Sequence, residues 1–410
     1  MRARFLIAVL CACGGVSAGA SAEELTRAVS GEMPTVRDRF EGLGLRAGQF
    51  WVLPDLETGY FYDSNVFGES TGTDSSSGIY VSPSVSVYSD FGRHKLNLKA
   101  GLDHYEYFDY SSQSRTDFDG ELDTRYDVNS DTVVLGGLKG GQFHQDPGDF
   151  EYPVLGMPTS PGAYYLFDTW GAIEHTFNRL TVSLGAAFDW FNYDNVDGID
   201  QGFRDGNIFT TGGRMSYLVS PGYRIFGDFR YNWRDYDEGV RIVDSDGWRA
   251  LTGVEFEVTR LVSGELGIGY TEQTYDLAGS PTVSTFSYHG AVIWNPTPLM
   301  TVRFDADRTI EDSTTDRQGR IQDAVRLGVD YEILRTLIFS PAIGISFNED
   351  DNNPLNDFRL EAGANLEYQI NRMMSVGSRY KYSYTDNSGP LGLYDDWDRH
   401  FVGVYAKARF

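Results

Sequence analysis

Apolar and polar residues alternate with a period of two from about residue 50 to the C-terminus, in segments of roughly 10–14 residues. The clearest segment is Phe358–Ile370, in which the even positions are apolar and the odd positions are charged, polar or small. Leu180–Trp190 and Lys95–Asp103 repeat this pattern. Successive side chains of a strand point to opposite faces, so each segment predicts a strand with one apolar and one polar face.

Short and long connections alternate between these segments. Asn178-Arg179 and Pro221-Gly222 are tight turns, whereas Pro147–Ala163 and Asn195–Asn207 are long and polar. A soluble β-sandwich mixes connection lengths at both ends, but an up-and-down outer-membrane barrel has short periplasmic turns and long extracellular loops. We therefore predict an all-β fold, a transmembrane antiparallel up-and-down β-barrel occupying residues 49–410.

Eighteen segments are predicted to be strands. They are centred near residues 56, 84, 99, 122, 138, 169, 186, 214, 229, 252, 268, 290, 304, 327, 343, 364, 379 and 404. An even number of strands places both termini on the periplasmic side. The last strand ends on Phe410, which resembles the assembly signal of bacterial outer-membrane proteins and implies the barrel assembly machinery as a partner.

Aromatic residues cluster where the predicted strands meet the long loops. Examples are Trp190, Phe191, Tyr193, Trp233 and Tyr236. Amphipathic rings collect at membrane–water boundaries, because one end of the side chain is apolar and the other is polar. We therefore predict aromatic belts facing the outer-membrane lipid and lipopolysaccharide.

The N-terminus predicts export through a cleavable signal peptide at residues 1–22. Arg2 and Arg4 precede a short apolar run, and Ala20-Ser21-Ala22 forms a cleavage site. Residues 23–48 then form a short periplasmic segment. An alternative places a lipobox at Leu10–Cys13, with Cys13 lipidated; either way, the predicted location is the cell outer membrane.

Composition excludes several classes of function. The chain has 34 Lys and Arg against 59 Asp and Glu, a net charge of −25, which excludes a general nucleic-acid partner. Oxygen-rich loops such as Asp244–Gly247 lack the full twelve-residue calcium pattern, so no metal is expected. The six histidines lie on separate segments and no catalytic motif appears. We expect no enzymatic activity and no cofactor.

The entry into the barrel reads Gly42–Phe50, then Leu53-Pro54 and Gly59–Phe67. This stretch resembles the N-terminal signature of the putative beta-barrel porin type 2 family, whose members often accompany exopolysaccharide export. The matching positions carry no assigned chemistry and fit packing of the first strand and loop; they are Arg46, Gly48, Phe50, Tyr62, Asp63, Asn65 and Phe67.

The polar row of side chains on each predicted strand, opposite its apolar row, should line the lumen of the barrel. The candidate pore-lining residues are Arg224, Arg230, Arg303, Arg326, Arg359, Arg379, Lys381, Asp119, Glu121 and Asp123. The fourth strand carries an acidic row and the last three strands a mainly basic one. One hypothesis is a transverse electric field that orients polar solutes. The alternative is that the charges pair across adjacent strands.

The loop at about Pro147–Ala163 is a candidate constriction. Phe150, Tyr152 and Met157 are the residues that would narrow the lumen if the loop folded inward. An exposed loop is the alternative.

The resemblance implies an outer-membrane channel that translocates an exopolysaccharide, working with periplasmic export proteins. A general or sugar-selective diffusion porin, passing small solutes, is one alternative. A structural or adhesive barrel with a blocked lumen is another. The acidic loops favour a neutral or partly cationic polymer over a strongly anionic one.

Overall fold

A computed structural model describes residues 43–149, 158–237, 242–258, 261–276, 279, 282–312, 319–349, 356–388 and 396–410. Within them a single antiparallel sheet contains nineteen strands. In chain order they are β1 Leu45–Ala47, β2 Phe50–Asp63, β3 Ser76–Ser89, β4 Lys95–Tyr107, β5 Arg115–Asp127, β6 Thr132–Gln145, β7 Gly162–Phe177, β8 Leu180–Tyr193, β9 Gly206–Ser220, β10 Tyr223–Tyr236, β11 Ser245–Val258, β12 Val262–Tyr275, β13 Val283–Thr297, β14 Met300–Asp312, β15 Gly319–Leu334, β16 Leu337–Glu349, β17 Asn356–Gln369, β18 Met374–Ser388 and β19 Trp397–Arg409.

Strands β2 to β19 form a closed barrel of eighteen strands. Each pairs with its sequence neighbours, and β19 pairs antiparallel with β2, from Phe401 opposite Asp63 to Arg409 opposite Asp55. Every predicted strand centre lies within one of these strands. The predicted closed antiparallel barrel and its strand number are therefore confirmed.

The three-residue strand β1 continues the sheet where β19 ends. It pairs with the start of β2, with Ala47 opposite Phe50, through a tight turn at Gly48, whose φ of 65° favours glycine. The backbone N–H of Phe410 donates to Pro54, and the Phe410 carbonyl accepts from Gly44. Backbone hydrogen bonds thus join the two ends of the described chain beside the β2–β19 pair, which is called the barrel seam here. The assembly role of Phe410 stays a prediction.

Successive side chains alternate between the outer and the inner face of each strand. Large apolar residues on one face of each strand are exposed, as for Leu184 (60%), Ile268 (57%) and Val404 (54%). The opposite face carries buried charged residues such as Asp228 and Glu265. In lipid this arrangement is favourable, because the apolar face meets hydrocarbon while all backbone groups of the strands pair with neighbours.

The aromatic residues near the long loops divide between the two faces. Trp190 and Trp233 are exposed on the outside, as a lipid-facing belt requires. Phe191, Tyr193 and Tyr236 are buried inside, where they pack with one another. Neighbouring residues of a strand point to opposite faces, so the belt prediction is wrong for these three inward rings.

Glycines face aromatic rings across the inner wall. In the β2–β3 pair, Gly59 lies opposite Tyr80 and Phe61 lies opposite Gly78. Both rings are buried, with exposures of 1% and 0%. A flat ring covering a glycine on the next strand restores the packing that the missing side chain would have provided.

Helical structure within the described residues is limited to short 3-10 turns at Ser111–Gln113, Pro147–Asp149 and Gly202–Arg204. In that part of the chain, no helix combines the length and apolarity needed to cross a membrane.

The glycine–aromatic pairing predicts a steric effect. A Cβ at Gly59 would lie 2.6 Å from Cε1 of Tyr80, so Gly59→Val should lower the free energy of unfolding by about 1–3 kcal/mol through overpacking. Urea unfolding of the barrel in lipid vesicles measures this change. Gly227→Val is the matched control, because nothing lies within 4 Å of its Cβ position. Equal destabilisation by the two variants would contradict the prediction.

Candidate functional site

The inner wall is a network of ion pairs between strands. On the β9–β14 side, the Arg214 guanidinium lies 2.7 Å from Glu265, and the two imidazole nitrogens of His289 lie 3.2 Å from Glu265 and 3.0 Å from Asp307. Arg249 then reaches Asp307 at 2.8 Å. Positive and negative groups therefore alternate along this wall.

The predicted basic wall on β17–β19 is also paired. Arg379 lies 2.5 Å from Glu57, and Lys381 lies 2.6 Å from Glu361. Arg409 reaches Glu367 at 2.8 Å. These local contacts favour the alternative of pairing between strands over an uncompensated basic wall.

The predicted acidic wall lies on β5 beside lysines. Glu121 is the cross-strand partner of Lys99 on β4 and of Lys139 on β6. Asp119 and Asp123 lie in the same inward row, opposite Gly101 and Asn97 on β4. The acidic row is thus flanked by positive charge on both sides.

The other candidate pore-lining residues are spread around the barrel. Arg230 lies 2.9 Å from Asp228, and Arg303 lies 2.5 Å from Asp330. The structure does not gather the candidates into one site; Arg224, Arg326 and Arg359 lie on β10, β15 and β17. Their pore-lining role stays a prediction.

The beginning of the β6–β7 loop folds onto the inner wall at the long-loop end of the barrel. The Asp146 carboxylate lies 2.5 Å from Arg115 on β5 and 2.7 Å from Arg399 on β19. These strands are four places apart in the sheet, or about 19 Å along the wall at a strand spacing of about 4.8 Å. The Asp146 carboxylate therefore joins side chains from two well-separated strands at the outer mouth. Residues 146–149 are called the docked segment here.

Aromatic and polar groups fix the docked segment in place. The indole N–H of Trp397 donates to the Gly148 carbonyl at 3.1 Å. The side chain of Gln145, at the end of β6, donates to the Asp149 carbonyl at 2.7 Å and accepts from Arg204 at 2.8 Å. The docked segment is therefore held by side chains from β19 and from the end of β6.

The end of the same loop is attached to two other loops. The backbone N–H groups of Thr159 and Ser160 donate to Asp197 at 2.6 and 2.9 Å, and the Gln113 side chain donates to the Thr159 carbonyl. Burial alone would raise the pKa of Asp197, but the hydrogen bonds from Thr159 and Ser160 together outweigh it and hold the pKa below its usual value. The constriction candidates Phe150, Tyr152 and Met157 lie outside the described residues.

The two carboxylates of the docked segment experience opposite electrostatic effects. Burial alone would raise the pKa of Asp146, but Arg115 and Arg399 outweigh it and hold the pKa below its usual value. Burial raises the pKa of Asp149 to about 6, although Arg359 opposes the rise. Asp146 is therefore ionised and binds both arginines, whereas ionisation of the buried Asp149 costs free energy.

Sequence reasoning named Asp63 in the N-terminal signature as a packing residue and missed its ion pair with Arg399. Asp63 is fully buried, and both of its carboxylate oxygens accept hydrogen bonds from the Arg399 guanidinium, with Nε at 2.8 Å. Tyr107 and the backbone N–H of Asn65 also donate to Asp63. The Asn65 side chain in turn donates to the Asp398 carbonyl at 2.9 Å. The signal was present, because Asp63 and Arg399 are inward charges beside long loops.

The other residues of the N-terminal signature lie in the first strands and the turns beside them. Arg46 is exposed, 3.5 Å from Asp90, and the Phe50 ring contacts Phe91 edge to face. The ring of Phe67 contacts Tyr110. Within the described residues, no group of three His, Cys, Asp or Glu side chains is arranged to hold a metal ion.

The comparison with sequence families identifies a porin family. A sequence profile described as Putative beta-barrel porin 2 matches residues 38–410. OpdL of Pseudomonas aeruginosa is 12% identical, with 89% of this chain and 99% of that chain covered and a TM-score of 0.44. OccAB1 of Acinetobacter baumannii is 13% identical, with 91% and 99% covered and a TM-score of 0.44. Among curated proteins there is no significant match.

The ion pairs of the inner wall predict a charge-swap result. Arg379→Glu places two carboxylates together at Glu57 and should lower the free energy of unfolding by about 3 kcal/mol. The double variant Arg379→Glu/Glu57→Arg should recover part of this loss. Arg179→Glu, in the exposed turn between β7 and β8, is the control. A changed ion selectivity without any loss of stability on reversing Arg379 would instead support the transverse field.

Asp149 predicts that docking of the segment depends on pH. Its pKa is about 6 when docked, above the ordinary 3.8, so docking takes up a proton. The extra docking stability is complete below about pH 4 and is lost as pH rises through about 6. Hydrogen exchange of the 146–149 amides, corrected for intrinsic pH dependence, should show stronger protection at the lower pH. Asp149→Asn should abolish this difference; its persistence in that variant would contradict the assignment.

Proposed function

The chain belongs to the Putative beta-barrel porin 2 family, and from that membership and the structure of the inner wall we propose that it forms a selective aqueous passage for polar solutes across the outer membrane. The supporting observation is the closed barrel of eighteen strands with charged side chains on its inner face. Barrels of about 16–18 strands are wide enough to leave an aqueous channel.

Selectivity would arise at the outer mouth. The docked segment reaches from Arg115 on β5 to Arg399 on β19, so it narrows the entrance on that side. Below it, the paired charges of the wall keep the lumen polar without a large excess of either sign. Such a wall admits polar solutes while the mouth restricts their size and charge.

Translocation of an exopolysaccharide is the second candidate function. The pairing of wall charges supports it, because a wall close to electrical neutrality would neither trap nor repel a neutral sugar chain. The buried state of the inward rings argues for a smaller role of aromatic stacking: Phe61, Tyr80 and Tyr107 are at most 2% exposed. Periplasmic export proteins would be partners only in this second case.

Planar-bilayer recording separates these functions. The refolded chain should give a large, open conductance, measured with and without the host's own oligosaccharides. A conductance that those sugars leave unchanged supports the proposed passage for polar solutes other than these sugars, and one that they block supports a passage for sugars. No conductance at any voltage would overturn both and leave a structural or adhesive barrel.

A genetic experiment tests the second candidate separately. If the chain exports a polysaccharide, its deletion should abolish the extracellular polymer while a complementing copy restores it. A deletion strain that secretes the polymer at the normal level would remove this function and leave the diffusion passage standing.

A further inference from the structure

The pairing of β13 with β14 stops partway along both strands. From Trp294 opposite Val302 to His289 opposite Asp307, the two strands form a regular ladder. Beyond that point, within the described residues, 283–288 of β13 pair only with β12 and 308–312 of β14 pair only with β15. This divergence lies toward the long-loop end of the barrel and is called the fork here.

The end of the β14–β15 hairpin turns into the barrel beyond the fork. On β14, Asp307 faces the inner wall, so the alternation of the strand assigns Asp312 to the lipid-facing row. Asp312 instead accepts hydrogen bonds from Arg234 on β10 at 2.7 Å and from Tyr275 on β12 at 3.3 Å. Both donors are buried side chains of the inner wall. The side of the hairpin that continues the lipid-facing row therefore covers the inner face of β10–β13.

Apolar side chains fill this overlap. Ile310 and Ile321, which are opposite each other on β14 and β15, pack with Tyr275 and Val283 of the inner wall. All four are at most 6% exposed. On the other face of the same stretch of β13, Phe286 is 52% exposed and points to lipid. Apolar surface thus continues from the lipid, around the edge of β13, to the inner wall.

Side chains join the two sides of the fork where the ladder has ended. The Tyr288 hydroxyl on β13 donates to Asp323 on β15 at 2.8 Å. The Ser287 hydroxyl donates to the Arg308 carbonyl at 2.7 Å, and Arg249 donates to the Tyr288 carbonyl at 3.1 Å. In hydrocarbon, separating paired strands leaves many backbone groups unsatisfied. At the fork the wall can open sideways without breaking such a ladder.

We propose that the fork is a lateral opening, through which a single-chain amphiphile moves between the outer leaflet of the membrane and the barrel lumen. The inference goes beyond the passage for polar solutes, which runs along the barrel axis. It does not depend on that passage, because binding of an amphiphile at the fork requires only the folded barrel in a lipid bilayer.

The overlap determines which amphiphile fits. Ile310 and Ile321 form a single pair of side chains facing Tyr275 and Val283. One apolar chain can replace this contact, whereas the two chains of a phospholipid would require the hairpin to leave the wall altogether. The ligand is therefore an amphiphile with one chain.

Polar groups at the fork suit a hydrogen-bond-accepting head group. Arg308 lies 3.4 Å from Asp323, and both belong to the lipid-facing row. The Nε of Arg308 is buried and has no hydrogen-bond partner among the described residues. This N–H is available to an acceptor such as a carboxylate, because a guanidinium has donors beyond those that its ion pair uses. A fatty acid combines this head group with one apolar chain.

The test uses the full chain refolded into phosphatidylcholine vesicles and, as the probe, palmitate with a photoreactive diazirine in its chain. Mass spectrometry of the illuminated protein should find adducts at Tyr275 and Val283 on the inner wall as well as at Phe286 on the lipid side. Excess unlabelled palmitate should remove most of the inner adducts, because a binding site saturates. Ile208, an inner-wall residue of β9 away from the fork, should carry none.

Two tyrosine variants separate the fork from the rest of the wall. Tyr288→Phe removes the hydroxyl that bonds across the fork, so the adducts at Val283 should increase about threefold or more, as expected for the loss of one hydrogen bond. Tyr270→Phe is the matched control. Its hydroxyl donates to Ser284 at 2.9 Å between β12 and β13, which are paired along that length, so the adducts at Val283 should stay unchanged.

Adducts confined to lipid-facing residues would overturn the proposal. Inner adducts that unlabelled palmitate does not reduce would also overturn it, and so would equal effects of the two tyrosine variants. Heat-modifiable migration on gels verifies that each variant is folded. If Tyr288→Phe does not fold, Asp323→Ala removes the acceptor of the same bond and should give the same increase; no increase would overturn the proposal.

Discussion

The closing of the sheet on itself is the constraint on which the rest of the molecule depends. Hydrocarbon offers no hydrogen-bond partners, so an open edge on β2 or β19 would expose a row of unsatisfied backbone groups. The β19–β2 pairing removes both edges at once. Closure also fixes which face of every strand is inside, because a shift of one residue would move the whole inward row to the lipid side.

Once the inward row is fixed, its charges must be compensated. The inward carboxylates of Asp228, Glu265 and Asp330 are each less than 9% exposed, and a buried charge without a partner is costly. Contacts between neighbouring strands, such as Arg303 with Asp330, supply the partners. The same contacts that stabilise the wall therefore also determine the electrostatic potential at its inner surface.

The part of the structure that follows from local alternation was predictable from the sequence. All eighteen strand positions could be located, and even the glycine-rich stretch Gly136–Gly141 lies in β6, because strand pairing uses backbone groups and needs no side chain. The face to which a ring points depends on its place in the alternation of the strand, and Phe191, Tyr193 and Tyr236 were assigned to the belt although they are buried inside. Contacts distant in the chain could not be derived: Asp63 and Arg399 are 336 residues apart and meet only because the barrel closes.

The docking of the β6–β7 loop shows why closure and the outer mouth are linked. Arg399 holds Asp63 on β2 across the seam and Asp146 on the docked segment at the same time. A guanidinium with several donors in one plane can serve both carboxylates, which a lysine ammonium could do only as a point charge. The residue that secures the last strand to the first is therefore also the residue that holds the docked segment at the outer mouth.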